Sequence, residues 1–485
     1  MSLKLSGWRL HALAAVAVMM TANVALATDS TMDADMATLA RIREAAMSSN
    51  FAYDRLEELT DRIGPRLSGS PGAAAAVNLV ADDMRAIGMQ VKLQPAKVPH
   101  WVRGAEAAEL VDYAHRPDGL TQRVMLTTLG GSGATPAAGI TAPVVIVHNF
   151  DELNQKAAQI KGAIVLYDAP FDQSLADNGQ SGTAYMESGM FRFAGPVMAA
   201  KLGAAAALVR SVGGANYRLP HTGMTSWRGT DLRIPAAAVT AEDAMLMSRL
   251  AAQGPIKMHL TLTPQTLPDV DSYNVLADLP GSDKADEVVL VSGHLDSWDL
   301  AQGATDDGAG LTAAMGVAEV FKKLGLKPRR TVRVVAWMNE ENGQRGAKAY
   351  QDSVNDKIST QFAAIESDGG AGKPLGFMSS VALSDEKLLE PLRAAMRPID
   401  APVIKREERL GSGDLSELED AGVPSFEPMV DMRSYFSYHH TAADTLDKVE
   451  PDNLKRQVAL LAMLTWYLAE MQEPLQRLPH QTETR

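Results

Sequence analysis

Three apolar runs rich in β-branched residues, at 288–292, 331–338 and 362–365, each end in a histidine or a carboxylate. The first leads into Gly293-His294-Leu295-Asp296-Ser297, the second into Asn339-Glu340-Glu341-Asn342-Gly343, and the third into Glu366-Ser367-Asp368-Gly369-Gly370. Helical stretches at 308–324 and 346–352 alternate with these runs, 402–404 is a further strand candidate, and 451–471 is amphipathic. Such alternation predicts an α/β fold with a mostly parallel or mixed central sheet flanked by helices. Functional groups in open α/β sheets collect beyond the carboxyl ends of the strands, so the three runs are expected to deliver imidazole and carboxylate to one edge.

Two further segments add to that edge. Gly303-Ala304-Thr305-Asp306-Asp307-Gly308-Ala309-Gly310 is an acidic pair in a glycine-rich turn that opens a helix, and Tyr438-His439-His440-Thr441-Ala442-Ala443-Asp444-Thr445 supplies two more imidazoles. Taken singly, a Glu-Glu pair is usually a solvated turn and Asp-Asp-Gly a turn or helix cap. Their joint occurrence at successive strand ends points instead to a metal site. The chain has no cysteine, so any metal is held by His, Asp and Glu, a donor set that suits zinc and, less specifically, manganese or cobalt. A binuclear site requires one bridging carboxylate and about two further protein ligands per metal, which a set of two His, two Asp and one Glu would fill. Glu340, next to Glu341, is then placed to take a proton from the attacking water.

At 485 residues the chain exceeds the usual size of one hydrophobic core, so a second domain or a large insertion is expected. The spacing predicts helices over 33–48, 51–63 and 72–87, with Ser70 as cap and Pro71 in the first turn of the last. Between 105 and 265 the texture changes to short apolar runs at 144–147, 163–167, 205–209 and 236–239, separated by turn residues and alanine-rich stretches. We read this as a smaller module inserted into a discontinuous domain made of 28–104 and 266–485. Its histidines, His115, His148, His221 and His259, are scattered without paired-ligand spacing and are expected to be surface or packing residues.

Residues 1–27 carry Lys4 and Arg9, an apolar run over 12–20 and small residues before Ala27, the order of a secretory signal cut after Ala27. No later stretch is long and apolar enough to span a bilayer. The mature chain is expected to be exported, to the periplasm or the medium, with no membrane attachment. Its formal charge of −13 becomes −15 once Lys4 and Arg9 are removed, because 1–27 contains no acid; this balance disfavours a nucleic-acid partner.

These motifs, together with Gln344-Arg345-Gly346-Ala347 after the Glu-Glu segment, resemble the M28 family of zinc exopeptidases. Gly293 to Asp299 and Tyr435-Phe436-Ser437-Tyr438-His439-His440 look most like its carboxypeptidase Q branch, and the resemblance covers nearly the whole mature chain. It implies two zinc ions per chain, held by His294, Asp306, Glu341, Asp368 and His440, with Asp306 bridging and Glu340 as general base. It selects Asp306 over Asp307 and His440 over His439 by their distances from Gly310 and Asp444. The middle module is similar to a protease-associated domain, which usually limits access to the cleft and adds no catalytic group. In the later substrate loop many members have Ser-Asp-His, whereas this chain has Gly411-Ser412-Gly413-Asp414-Leu415. The resemblance allows a homodimer, although the periodicity shows no interface.

The expected function is hydrolysis of dipeptides or short peptides, as a carboxypeptidase, aminopeptidase or dipeptidase. Asp296 is expected to accept the second ring proton of His294, and His439, Tyr438 and Asp414 are candidates for substrate contact. Two other classes stay open: a single-zinc acyltransferase of the glutaminyl-cyclase kind, which a metal count of one would favour, and a non-catalytic receptor-like protein, which usually lacks ligands present here.

Overall fold

The computed structural model describes residues 35–479 apart from positions 231 and 412, so residues 1–27, expected to be a secretory signal, lie outside the described residues. Two eight-stranded sheets organise the chain. The first runs in the order Gln90–Val102, Gln265–Leu279, Arg330–Trp337, Lys284–His294, Gln361–Glu366, Ser425–Val430, Pro374–Ser379 and Val403–Arg406. Its middle is parallel: Lys284–His294 lies between Arg330–Trp337 and Gln361–Glu366, and Gln361–Glu366 pairs in the same sense with Ser425–Val430. Its flanks are mixed, with Gln90–Val102 and Gln265–Leu279 forming a long antiparallel pair. The strands of the second sheet all fall between Glu106 and Leu262, with a parallel centre of Ile140–Val147, Ile164–Tyr167, Ala206–Arg210 and Ala236–Val239.

The central strands follow from composition. Val288 to Val291 and Val332 to Trp337 are buried on both faces almost throughout, as expected of parallel strands covered by helices. Helix Ala309–Lys323 packs against the sheet and against helix Pro451–Glu470, which lies on the same sheet, burying Leu311, Val317 and Phe321 completely, each worth about 1.5–3 kcal/mol. Gly316 permits the crossing, since a Cβ there would lie 2.9 Å from a Val458 methyl. The three expected N-terminal helices form over 35–47, Phe51–Arg62 and Pro71–Ala86, and Ser70 Oγ accepts the Ala73 amide as the cap.

Arg66, in the loop before Ser70, joins these helices to the strand ends. It is fully buried, and its guanidinium donates to the carbonyls of Leu295 (2.8 Å), Gly64 (3.0 Å) and Gly303 (3.0 Å) and to that of Gln302. Its amide donates to Ser297 Oγ at 3.1 Å. One side chain thus closes the loops after His294 and before Asp306 against each other. Arg66→Met removes a set of donors that no water can replace, so urea unfolding should show a loss of about 3 kcal/mol or more; a change under about 1 kcal/mol would mean that the loops hold without it.

Candidate metal centre

Strand Lys284–His294 ends on His294, which is buried. Its Nδ1 donates to the Asp296 carbonyl oxygen at 2.9 Å, which leaves Nε2 as the free lone pair. That nitrogen lies 3.0 Å from Asp306 Oδ1 and 3.5 Å from Asp368 Oδ1. On the other side, His440 Nε2 lies 3.1 Å from Asp306 Oδ2 and 3.0 Å from Glu341 Oε2. The ligand atoms of His294, Asp306 and Asp368 lie within 4.8 Å of one another, and so do those of Asp306, Glu341 and His440. The two triads share Asp306, so each could hold one cation with a single carboxylate between them. Asp306 Oδ2 is buried without a hydrogen-bond partner, although imidazole nitrogens face it at 3.1 and 3.2 Å. Donors that converge while leaving lone pairs unsatisfied fit a metal pair, and His with carboxylate fits zinc.

The loop that carries Asp306 is held from three directions. Asp444 accepts the Thr305 amide and hydroxyl, both at 2.7 Å, and the Asp306 amide at 3.2 Å. Asp307 turns away from the triads and accepts the amides of His294 (2.9 Å) and Gly310 (3.1 Å). Gly310 lets the start of the following helix touch the third strand end, since a Cβ there would sit 1.8 Å from the Ser367 carbonyl oxygen. The peptide between Asp306 and Asp307 is cis.

The carboxylate of Asp296 does not take the ring proton of His294, from which it is 3.9 Å away. It accepts instead from the amides of Asn339 (2.8 Å) and Glu340 (3.1 Å) and from Ser68 Oγ (2.9 Å). With the adjacent carbonyl already satisfying Nδ1, its work is to hold the backbone that carries Glu340 and Glu341. The Glu341 carboxylate in turn accepts the Trp298 amide at 3.2 Å.

A cavity of about 650 Å3 opens onto Asp306, Glu340, Glu341, Asp368, His439 and His440. Tyr435 also lines it, whereas Tyr438 and Asp414 do not. Asp414 is buried, both its oxygens lack hydrogen-bond partners, and burial followed by the charges of Glu366 and Glu340 raises its pKa well above the ordinary range. It lies within the electrostatic reach of Glu340 and Glu366, behind the residues that line the cavity.

The histidines of the second sheet divide. His148 Nδ1 pairs with Glu152 and His259 Nδ1 with Thr141 Oγ1, each at 2.8 Å, as expected of surface residues. His221 does otherwise: it is fully buried, its Nε2 lies 3.2 Å from His439 Nδ1, and its ring nitrogens cluster with those of His439 and His440. Thr222 donates its amide to the His440 carbonyl at 2.9 Å, and its own carbonyl receives His440 Nδ1 at 3.3 Å. A histidine expected to be a surface or packing residue therefore packs against both histidines of the 439–440 pair, and its neighbour Thr222 bonds one of them.

Similarity to known proteins agrees with this geometry. Residues 274–465 match the model of peptidase family M28. Carboxypeptidase Q of Homo sapiens is 36% identical over 433 residues, covering 89% of this chain and 88% of that protein. This chain belongs to peptidase family M28. It is a metallopeptidase of that family, and similarity extends to aminopeptidase YwaD of Bacillus subtilis (strain 168), 24% identical over 318 residues, 65% of this chain and 60% of that one. The crystal structure of a peptidase M28 precursor from Shewanella amazonensis SB2B superposes with a TM-score of 0.87 at 34% identity, covering 93% of this chain and all of that one. A zinc aminopeptidase from Bacillus subtilis shares the fold at a TM-score of 0.62 and 19% identity, covering 87% and 95% of the two chains.

Burial and neighbouring charges shift the acids of the site. Burial, with the nearby charges of Asp368 and Glu341, pushes Glu340 up to about 8; burial, with Asp306, pushes Glu341 up to about 7. Burial alone would also raise Asp306, but the imidazoles of His439, His294 and His440 hold it well below the ordinary range. Acids with raised pKa bind protons that the unfolded chain has released, so their stabilising contribution is lost as pH climbs from about 4.5 towards about 8. His221 and His439, held low by burial and neighbouring imidazoles, oppose this trend up to the ordinary 6.5. The Tm of the metal-free chain should therefore fall between pH 6.5 and about 8, and saturating zinc should flatten the slope; a Tm that rises over that interval in the metal-free chain would contradict the charge balance described.

Proposed function

We propose that the chain is an exported exopeptidase that holds two zinc ions and hydrolyses dipeptides or short peptides with Glu340 as general base. The observation that carries this reading is the sharing of Asp306 by the two triads, which a single-metal acyltransferase would not need. His294 and Asp368 would hold one zinc, Glu341 and His440 the other, with Asp306 between them. When bound, such ions polarise the scissile carbonyl and bring the pKa of a water towards neutrality. Glu340 lines the same cavity, is held at its backbone by Asp296, and is free to accept the proton of the attacking water at its carboxylate. It then returns that proton to the departing amine nitrogen, as general acid/base catalysis requires.

Arg192 and Arg228 line the same cavity as this cluster of acids. Two guanidinium groups beside a peptidase centre favour a substrate with a free carboxylate, and the name carboxypeptidase Q carried by relatives agrees with it. The strands between Glu106 and Leu262 support an inserted module of the protease-associated kind, within a discontinuous peptidase domain of 28–104 and 266–485. The order of residues 1–27 supports cleavage after Ala27 and a periplasmic or secreted location.

Glu340→Gln should keep the zinc content of the wild type while kcat falls on the order of 10²- to 10⁴-fold; turnover close to wild type would remove Glu340 from the role of base. Dipeptides with a free carboxyl end should be cleaved and their amides should not. Equal cleavage of both would reject carboxylate recognition.

A further inference from the structure

His221 stands 218 residues from the histidines it meets, on a loop of the second sheet. The loop is fixed at the ends of two parallel strands: Ser211, directly after Ala206–Arg210, donates its hydroxyl to the Val239 carbonyl at 2.8 Å and accepts the His221 amide at 3.0 Å. Beyond it, Arg103 donates to the Thr128 carbonyl and to Thr222 Oγ1 (3.3 Å), while pairing with Asp299 of the loop after His294. Thr222 Oγ1 donates to the Thr128 carbonyl at 3.0 Å. The ring of His221 is therefore held by an ordered framework.

The hydrogen-bonding roles follow from the unpartnered nitrogen of His221. Its Nδ1 is buried without a hydrogen-bond partner, and an N–H stranded there would waste the acceptor that His439 Nδ1 offers to Nε2, so the His221 proton resides on Nε2. Across the 3.2 Å contact His439 Nδ1 is then the acceptor, which leaves the His439 proton on Nε2, the nitrogen 3.2 Å from Asp306 Oδ2. The rings of His439 and His440 stack with centroids 3.7 Å apart, so His439 has no room to turn over.

We propose that His221 is a positioning residue for the reaction: by donating Nε2–H to His439 Nδ1 it fixes His439 with its own Nε2–H facing the cavity, as a donor to the carbonyl oxygen of the scissile peptide bond. This rests on the peptidase reading above. It makes the segment that carries His221 part of the active site.

Two measurements test it, one of which needs neither metal nor turnover. In the metal-free full-length chain carrying ¹⁵N-histidine, the ring nitrogens of His439 should show the Nε2–H tautomer, and His221→Leu should convert this to a mixture. In the zinc-loaded enzyme, His221→Leu should lower kcat on the order of 10- to 100-fold with KM and zinc content unchanged, and His221→Gln, whose amide can donate from nearly the same place, should recover most of the loss. A wild-type His439 in the Nδ1–H tautomer would overturn the proposal, as would a His221→Leu enzyme with unaltered kcat, or one whose loss is accounted for by missing zinc. Should His221→Leu not fold, the wild-type tautomer and the His221→Gln kinetics still decide. A wild type that cleaves no peptide would refute the peptidase reading, while the tautomer spectrum would still report on His221.

Discussion

The two oxygens of Asp306 face opposite ways in a buried site, one towards His294 and the other towards His439 and His440, and much of the surrounding structure serves to keep them so. A carboxylate in that position is costly unless positive charge is supplied on both sides. Asp444 grips the two amides that lead into it, Asp307 secures the strand end opposite, and Arg66 ties the loop after His294 to the turn before Asp306. None of these three supplies a ligand atom to either triad. Each removes a degree of freedom from a backbone that would otherwise relax away from an accumulation of negative charge, and metal binding would turn the same accumulation into affinity.

The two sheets meet where this constraint is strongest. Thr222 holds both the carbonyl and the ring of His440, and His221 holds the ring of His439. A stacked contact between Tyr185 and Phe436, with centroids 4.2 Å apart, supports the same junction. Changes in the loops of the second sheet are thus transmitted to the imidazoles directly, through hydrogen bonds of fixed direction, rather than only through the width of the cleft.

Much of the centre was legible in the sequence because strand ends impose it. A β-branched run buried on both faces has little choice of structure, and whatever follows it arrives at the sheet edge; hence the segments after the three runs could be placed together from the pattern, while the choice of His294, Glu341 and Asp368 within them came from the family resemblance. The long pair Gln90–Val102 and Gln265–Leu279 was not legible, because each strand mixes charged, polar and proline residues and is stabilised mainly by pairing with the other. Strands Pro374–Ser379 and Ser425–Val430 were missed for a similar reason: they are short and interrupted by glycine or proline. The role of Asp296 was misassigned because a neighbouring carbonyl, invisible to residue type, had already satisfied His294. His221 gave no signal at all, since a lone histidine between turn residues looks the same whether it faces water or another imidazole.

The most direct test of the shared carboxylate is a crystal structure of the zinc-loaded chain with anomalous data collected at the zinc absorption edge. Two peaks about 3.5–4 Å apart, with one oxygen of Asp306 directed to each and His294 and His440 on opposite sides, are the expected result. A single peak, or two peaks of which one has no contact with Asp306, would contradict the account.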